Sequence, residues 1–125
     1  MINYHFDKKE NVLLVKFEGE VRLEEVYRYI VEIRENKDVP QKLKILSLAE
    51  GSQFAQRLGK KELLGLLEEN KKSLARRDYI YDAFVVSGPF ETALGIYYRE
   101  LNKIENYRFN VFSTKEAALK WLRTL

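Results

Sequence analysis

The sequence predicts an α/β fold built on a five-stranded mixed, mainly parallel sheet, with an N-terminal antiparallel hairpin and four helices. Three observations carry this expectation. Apolar residues recur at every second position near the start of the chain, they recur at helical spacing in four later segments, and strand and helix patterns alternate from then on. Strands separated by helices pair in parallel through right-handed crossovers, whereas strands joined by a short polar turn pair antiparallel. The 125 residues are the length of a single domain, spanning 1–125, with neither a linker nor an internal repeat.

Ile2, Tyr4 and Phe6 alternate with Asn3, His5 and Asp7, the period of a half-buried strand. Lys8-Lys9-Glu10-Asn11 breaks the pattern, and Val12 to Glu18 resumes it with Leu13, Val15 and Phe17 on one side. Gly19 stops this second strand. Leu23, Val26, Tyr27, Ile30 and Ile33 then fall at helical spacing, with Glu24, Arg28 and Glu32 on another face. This first helix ends between Asn36 and Pro40, because proline disfavours helix in the residue before it. Leu43 to Leu48 is the third strand, and Ala49 to Gly59 is a long loop without a period.

Leu63, Leu66, Leu67, Asn70 and Leu74 mark the second helix. Tyr81 to Ser87 contains Ala-Phe-Val-Val without alternation, as expected of a strand covered on both faces, and is placed at the centre of the sheet. Gly88-Pro89 opens the third helix, with Ala93, Leu94, Tyr97, Leu101 and Ile104 inward. Arg108 to Phe112 is the fifth strand. Ser113-Thr114-Lys115-Glu116 then matches a capping box with Ser113 as the cap, ahead of a last helix that packs Ala117, Ala118, Trp121, Leu122 and Leu125.

Composition excludes several function classes. With no cysteine there is no disulfide framework, thiolate metal site or cysteine nucleophile. The apolar runs Val12 to Val15 and Ala83 to Val86 are too short to cross a bilayer, and Met1-Ile2-Asn3-Tyr4 does not open a signal peptide, so a soluble cytoplasmic protein is expected. Twenty-two basic against 19 acidic residues leave a net charge of +3, which names no partner. Lys71, Lys72, Arg76 and Arg77, with Arg57, Lys60 and Lys61, form the densest basic stretch. It is diluted by Glu62, Glu68, Glu69 and Asp78, and reads as a solvated helix face rather than a nucleic-acid surface.

The run from Ala83-Phe84-Val85-Val86 through Glu91-Thr92-Ala93-Leu94 to Val111-Phe112-Ser113, closed by Glu116-Ala117-Ala118-Leu119-Lys120-Trp121-Leu122, resembles the small bacterial STAS-like proteins. These are relatives of sporulation anti-sigma-factor antagonists and share a fold with CRAL-TRIO lipid carriers. The resemblance covers the element order of the whole chain, and its most specific pieces are core-packing motifs. It implies a fold and brings no catalytic residues. In the antagonist branch a phosphorylatable serine sits in an Asp-Ser-Ser-Gly type loop before the second helix. The corresponding segment here, Leu46 to Phe54, has no aspartate before a serine, and Ser47 and Ser52 are its positional counterparts.

No constellation reads as catalytic, and no enzyme activity, cofactor or metal is expected. His5 is the single histidine, with Asp7 on the same strand face, and no nucleophile accompanies the pair. Gly51 to Lys61 fails as a phosphate loop on spacing, and no Asp and Glu set has metal-ligand spacing. The expected function is therefore a non-enzymatic binding or regulatory module of STAS-like type acting through protein contacts, the alternative being a carrier or sensor of a small apolar or lipid-like ligand. Sites in such sheets collect at the carboxyl ends of parallel strands, which selects Glu50, Ser52, Gln53, Phe54, Leu58, Ser87 and Phe90 as ligand or partner contacts. The adjacent tyrosines Tyr97 and Tyr98, and the pair Tyr27 and Tyr29, cannot all point inward. They are assigned to a homodimer interface.

Overall fold

The computed structural model describes residues 1–125. The strands are β1 (Ile2–Asp7), β2 (Val12–Phe17), β3 (Gly19–Val21), β4 (Lys42–Leu48), β5 (Ser52–Phe54), β6 (Tyr79–Val85) and β7 (Tyr107–Phe112). The helices are α1 (Leu23–Glu35), α2 (Lys60–Ser73), α3 (Pro89–Leu101) and α4 (Lys115–Arg123), and one 3-10 turn, Leu74–Arg76, follows α2.

Five strands form one sheet in the order β1-β2-β4-β6-β7. The hairpin β1–β2 is antiparallel and every other pairing in this sheet is parallel, as the alternation of elements requires. The middle position falls to β4, with β6 beside it, rather than to β6 itself. The register sets Ile45 between Leu13 and Asp82, so β4 is paired with β6 along its length and with β2 from Ile45 to Leu48. Lys44 disguises this strand as a half-exposed one. Its side chain runs across the sheet to the end of α4, where Nζ donates to the carbonyl oxygens of Leu122 (2.7 Å) and Leu125 (3.1 Å).

Period-2 alternation divides the sheet into two faces. Leu13, Val15, Phe17, Leu43, Ile45, Ile80 and Phe84 face a large core shared with α1, α2 and α3, while Val12, Leu46, Ala83 and Val85 face a small one closed by Ala118 and Leu122 of α4. Val85 is core as expected. Trp121 is only half-buried, tilted against Phe112 at 5.6 Å between ring centroids, because a single helix covers this face and Leu122 takes its inward position.

Two further departures have local causes. The segment without a period contains β5, which pairs in parallel with β3 as a separate two-stranded sheet, Gly19 opposite Ser52 and Val21 opposite Phe54. Three-residue strands are too short to show a period. The cap of α4 is Thr114, whose hydroxyl accepts from the Ala117 amide at 3.2 Å, and not Ser113.

On α3 the inward residues are Leu94, Gly95, Tyr98 and Leu101, one position round from the expected set, so Ala93 and Tyr97 are exposed. Gly95 explains the rotation. A methyl group there would stand 3.0 Å from Val111 and 3.4 Å from Phe84, so the helix backbone lies directly on the sheet at this point. Gly88 precedes Pro89 with φ at 88°, a left-handed conformation that turns the chain from β6 into α3.

The basic stretch is not wholly a solvated face. Arg77 is 8% exposed and donates to the carbonyl oxygens of Ile33 (2.8 Å) and Asn36 (3.3 Å), closing the C-terminal end of α1. Arg34 of α1 reaches back to Glu69 and Ser73 of α2.

Candidate functional site

Between the sheet and the three helices on its larger face lies a cavity of about 90 Å³, lined by 18 residues of which 14 are hydrophobic. Its floor is the sheet: Phe17 from β2, Ile45 and Ser47 from β4, Asp82 and Phe84 from β6, and Tyr107 and Phe109 from β7. Tyr29 and Ile30 of α1, Leu66 and Asn70 of α2, and Leu94 and Tyr98 of α3 form the other walls, with Phe54 and Leu58 on the side of the long loop.

Polar groups converge inside this apolar shell. Asp82 sits on an inward register position between Ile80 and Phe84, the one charged side chain of the cavity lining. The surrounding elements enclose it, and it stays half-buried rather than wholly covered. Burial pushes its carboxyl up to about 7 from an ordinary 3.8, opposed by the hydrogen bond that Ser47 Oγ donates to Oδ1 at 2.8 Å. Asn70 Nδ2 donates to the Tyr98 hydroxyl at 3.0 Å, and the hydroxyls of Tyr98 and Tyr107 share a hydrogen bond of 2.9 Å. The Tyr29 hydroxyl is buried and has no partner. Desolvation raises the pKa of all three phenols, so each stays a neutral hydroxyl.

The residues expected at the strand ends divide. Phe54 and Leu58 line the cavity. Glu50, Gln53, Ser87 and Phe90 are exposed and take no part in it, and the Ser52 hydroxyl is spent on the Ala49 carbonyl at 2.7 Å. Ser47 is 2% exposed and bonded to Asp82, a structural and not a surface serine. The expected tyrosine surface also needs correction. Tyr29 and Tyr98 are buried, Tyr27 is half-buried, and Tyr97 alone is exposed, at 41%. The aromatic pairs on α1 and α3 are thus resolved by turning one ring of each into the core. His5 is exposed on the edge strand β1, and Asp7 accepts from the turn amides of Lys9 and Glu10.

Sequence reasoning missed Asp82, Asn70 as a polar contact, and Tyr107. The available signal was Asp82 itself, a lone carboxylate within a strand otherwise apolar enough to be read as covered on both faces. A wider groove of about 460 Å³ near the end of α1 is lined largely by charged residues, and its arginines are held by Glu35, Glu69 and main-chain carbonyls.

A search of solved structures finds an uncharacterized protein from the DUF3478 family with a SpoIIAA-like fold, from Shewanella loihica PV-4. It is similar to this chain with a TM-score of 0.62 at 15% identity, over 98% of this chain and 92% of that one. The expected STAS-like resemblance therefore holds for the fold. No protein-family model matches the chain, and no curated protein does. No helix is long and apolar enough to cross a membrane.

Proposed function

We propose that this protein is a non-enzymatic binding module that holds a small, mainly apolar molecule in the cavity between the sheet and α1, α2 and α3. The observation that carries this reading is the pairing of a hydrophobic wall with unused polar capacity: a partnerless Tyr29 hydroxyl and an Asp82 carboxylate bonded only by Ser47. About 90 Å³ is the share of roughly three waters, yet water gains little from fourteen hydrophobic neighbours. A compact hydrocarbon with one polar group matches both parts of the wall. Ordinary ligand pockets start at about 300 Å³, so the occupant is small, a handful of heavy atoms.

The test is direct. Benzene and n-butanol, titrated into the full chain, are expected to raise its melting temperature by about 2 °C or more near saturation, and native mass spectra to show an adduct above the 14.8 kDa chain. No shift with either compound, together with an unliganded mass, would remove the reading.

Protein contact is a second reading, favoured by a separate feature. Phe90 (58% exposed), Ala93 and Tyr97 follow one another at steps of three and four residues on the outer side of α3. Self-association through this stripe predicts a dimer in sedimentation equilibrium at micromolar concentration, weakened by Phe90→Glu. A single 14.8 kDa species excludes it.

A further inference from the structure

We propose that the cavity is a site for a small organic ammonium ion, a short alkylamine whose cationic head pairs with Asp82 while its hydrocarbon lies against the aromatic wall. This rests on the ligand-binding reading above and names the class of ligand.

Charge selects the head group. Among the lining residues Asp82 is an acid, three more are phenols, and there is no lysine, arginine or histidine. The groups that face the carboxyl are Ser47 from β4, Tyr29 from α1, Asn70 from α2, Tyr98 from α3 and Tyr107 from β7, all uncharged donors or acceptors. Two cations, Arg34 and Arg77, line a small void that shares Tyr29, Ile30, Ile45 and Asn70 with the cavity, and both are engaged. Arg34 holds Glu69 and Ser73, and Arg77 holds the carbonyls of Ile33 and Asn36. An ionised Asp82 thus has no counter-ion from the protein. A carboxylate ligand would set a second negative charge beside it, while an ammonium ion supplies the missing positive one.

Hydrogen-bond capacity agrees. An ammonium group donates up to three hydrogen bonds. The second carboxylate oxygen of Asp82 receives none from the protein, and the Tyr29 hydroxyl has a free acceptor position, whereas an alcohol brings a single donor. The surrounding rings add to the preference. Phe17 packs edge-on to Tyr29 and Phe84 at 6.4 and 6.0 Å, and Tyr98 to Phe109 at 4.7 Å, so the cavity that holds the carboxylate is walled by aromatic rings, the side chains that attract cations.

Four-carbon probes with different head groups test this: n-butylamine, n-butanol and butyrate, titrated by calorimetry into the full-length wild type and Asp82→Asn at pH 8. The amine is expected to bind at least about tenfold more tightly than the alcohol, butyrate not measurably, and Asp82→Asn to level amine and alcohol. Wild-type affinity for the amine should fall about tenfold from pH 8 to pH 6 as Asp82 takes up a proton, while butanol binding stays level. This pH profile decides the matter even if the variant does not fold. Butanol binding as tightly as butylamine, or an amine preference unchanged by pH or by Asp82→Asn, overturns the ammonium site and leaves the ligand-binding reading standing. Failure of all three probes overturns the ammonium site, and failure of benzene as well overturns both.

Discussion

Asp82→Asn is expected to make the protein more stable at pH 8 by on the order of 4 kcal/mol, with the gap shrinking to less than half of that by about pH 5. The sign follows from where the proton resides. Between 3.8 and about 7 the native state keeps a proton on Asp82 that the unfolded chain releases, so this group's contribution is fullest below 3.8. It is lost progressively as the pH rises, and the loss is complete above about 7. Asparagine keeps the size and the capacity to accept from Ser47 but has no charge to bury. Urea titrations at the two pH values measure the gap. A gap that does not change with pH would show that the carboxyl is hydrated as in water. A residue whose conservative replacement stabilises the fold is one the fold does not need, consistent with a functional position.

The second large effect separates two neighbours on α4. Leu122 is 1% exposed in the small core beneath the sheet, and Leu122→Ala is expected to lower stability by about 3 kcal/mol, the transfer term plus the cavity left behind. Trp121→Ala should cost less, about 1 to 2 kcal/mol, although it removes more atoms, because that ring is half-buried and borders Phe112 rather than filling the interior. Denaturant midpoints for the two variants decide it. A larger loss for Trp121→Ala would mean that α4 is rotated on the sheet from the position described.

Much of the architecture was legible because it is written in periodicity. The hairpin and the four helices leave a pattern of two or of about three and a half residues, the strand at Tyr81 to Ser87 an apolar run without alternation, and the structure follows them. What failed was information that periodicity does not carry. Tyr29 and Tyr97 differ in fate because Gly95 lets α3 sink onto the sheet and turns Tyr98 inward, while α1 directs Tyr29 toward Phe17, and neither rotation is visible in a helical wheel. The polar cluster was hidden for a similar reason. Ser47, Asn70, Asp82, Tyr98 and Tyr107 come from five different elements and meet only after the crossovers are closed. Strand-end reasoning therefore found the rim, Phe54 and Leu58, and not the floor.

The small sheet of β3 and β5 bears on how fast anything enters or leaves. It joins the chain by three opposed residue pairs, against seven between β4 and β6, and Gln56 ties the loop after it to the first amide of α1 at 2.8 Å. Among the strand pairings around the cavity, the one carrying Phe54 is accordingly the one that separates with the fewest broken ladder bonds. Opening there would leave the main sheet paired, and on the proposed binding function exchange of an occupant would be set by that local free energy rather than by the global one. On that proposal, residence time in the cavity and resistance to unfolding would be governed by different parts of the same chain.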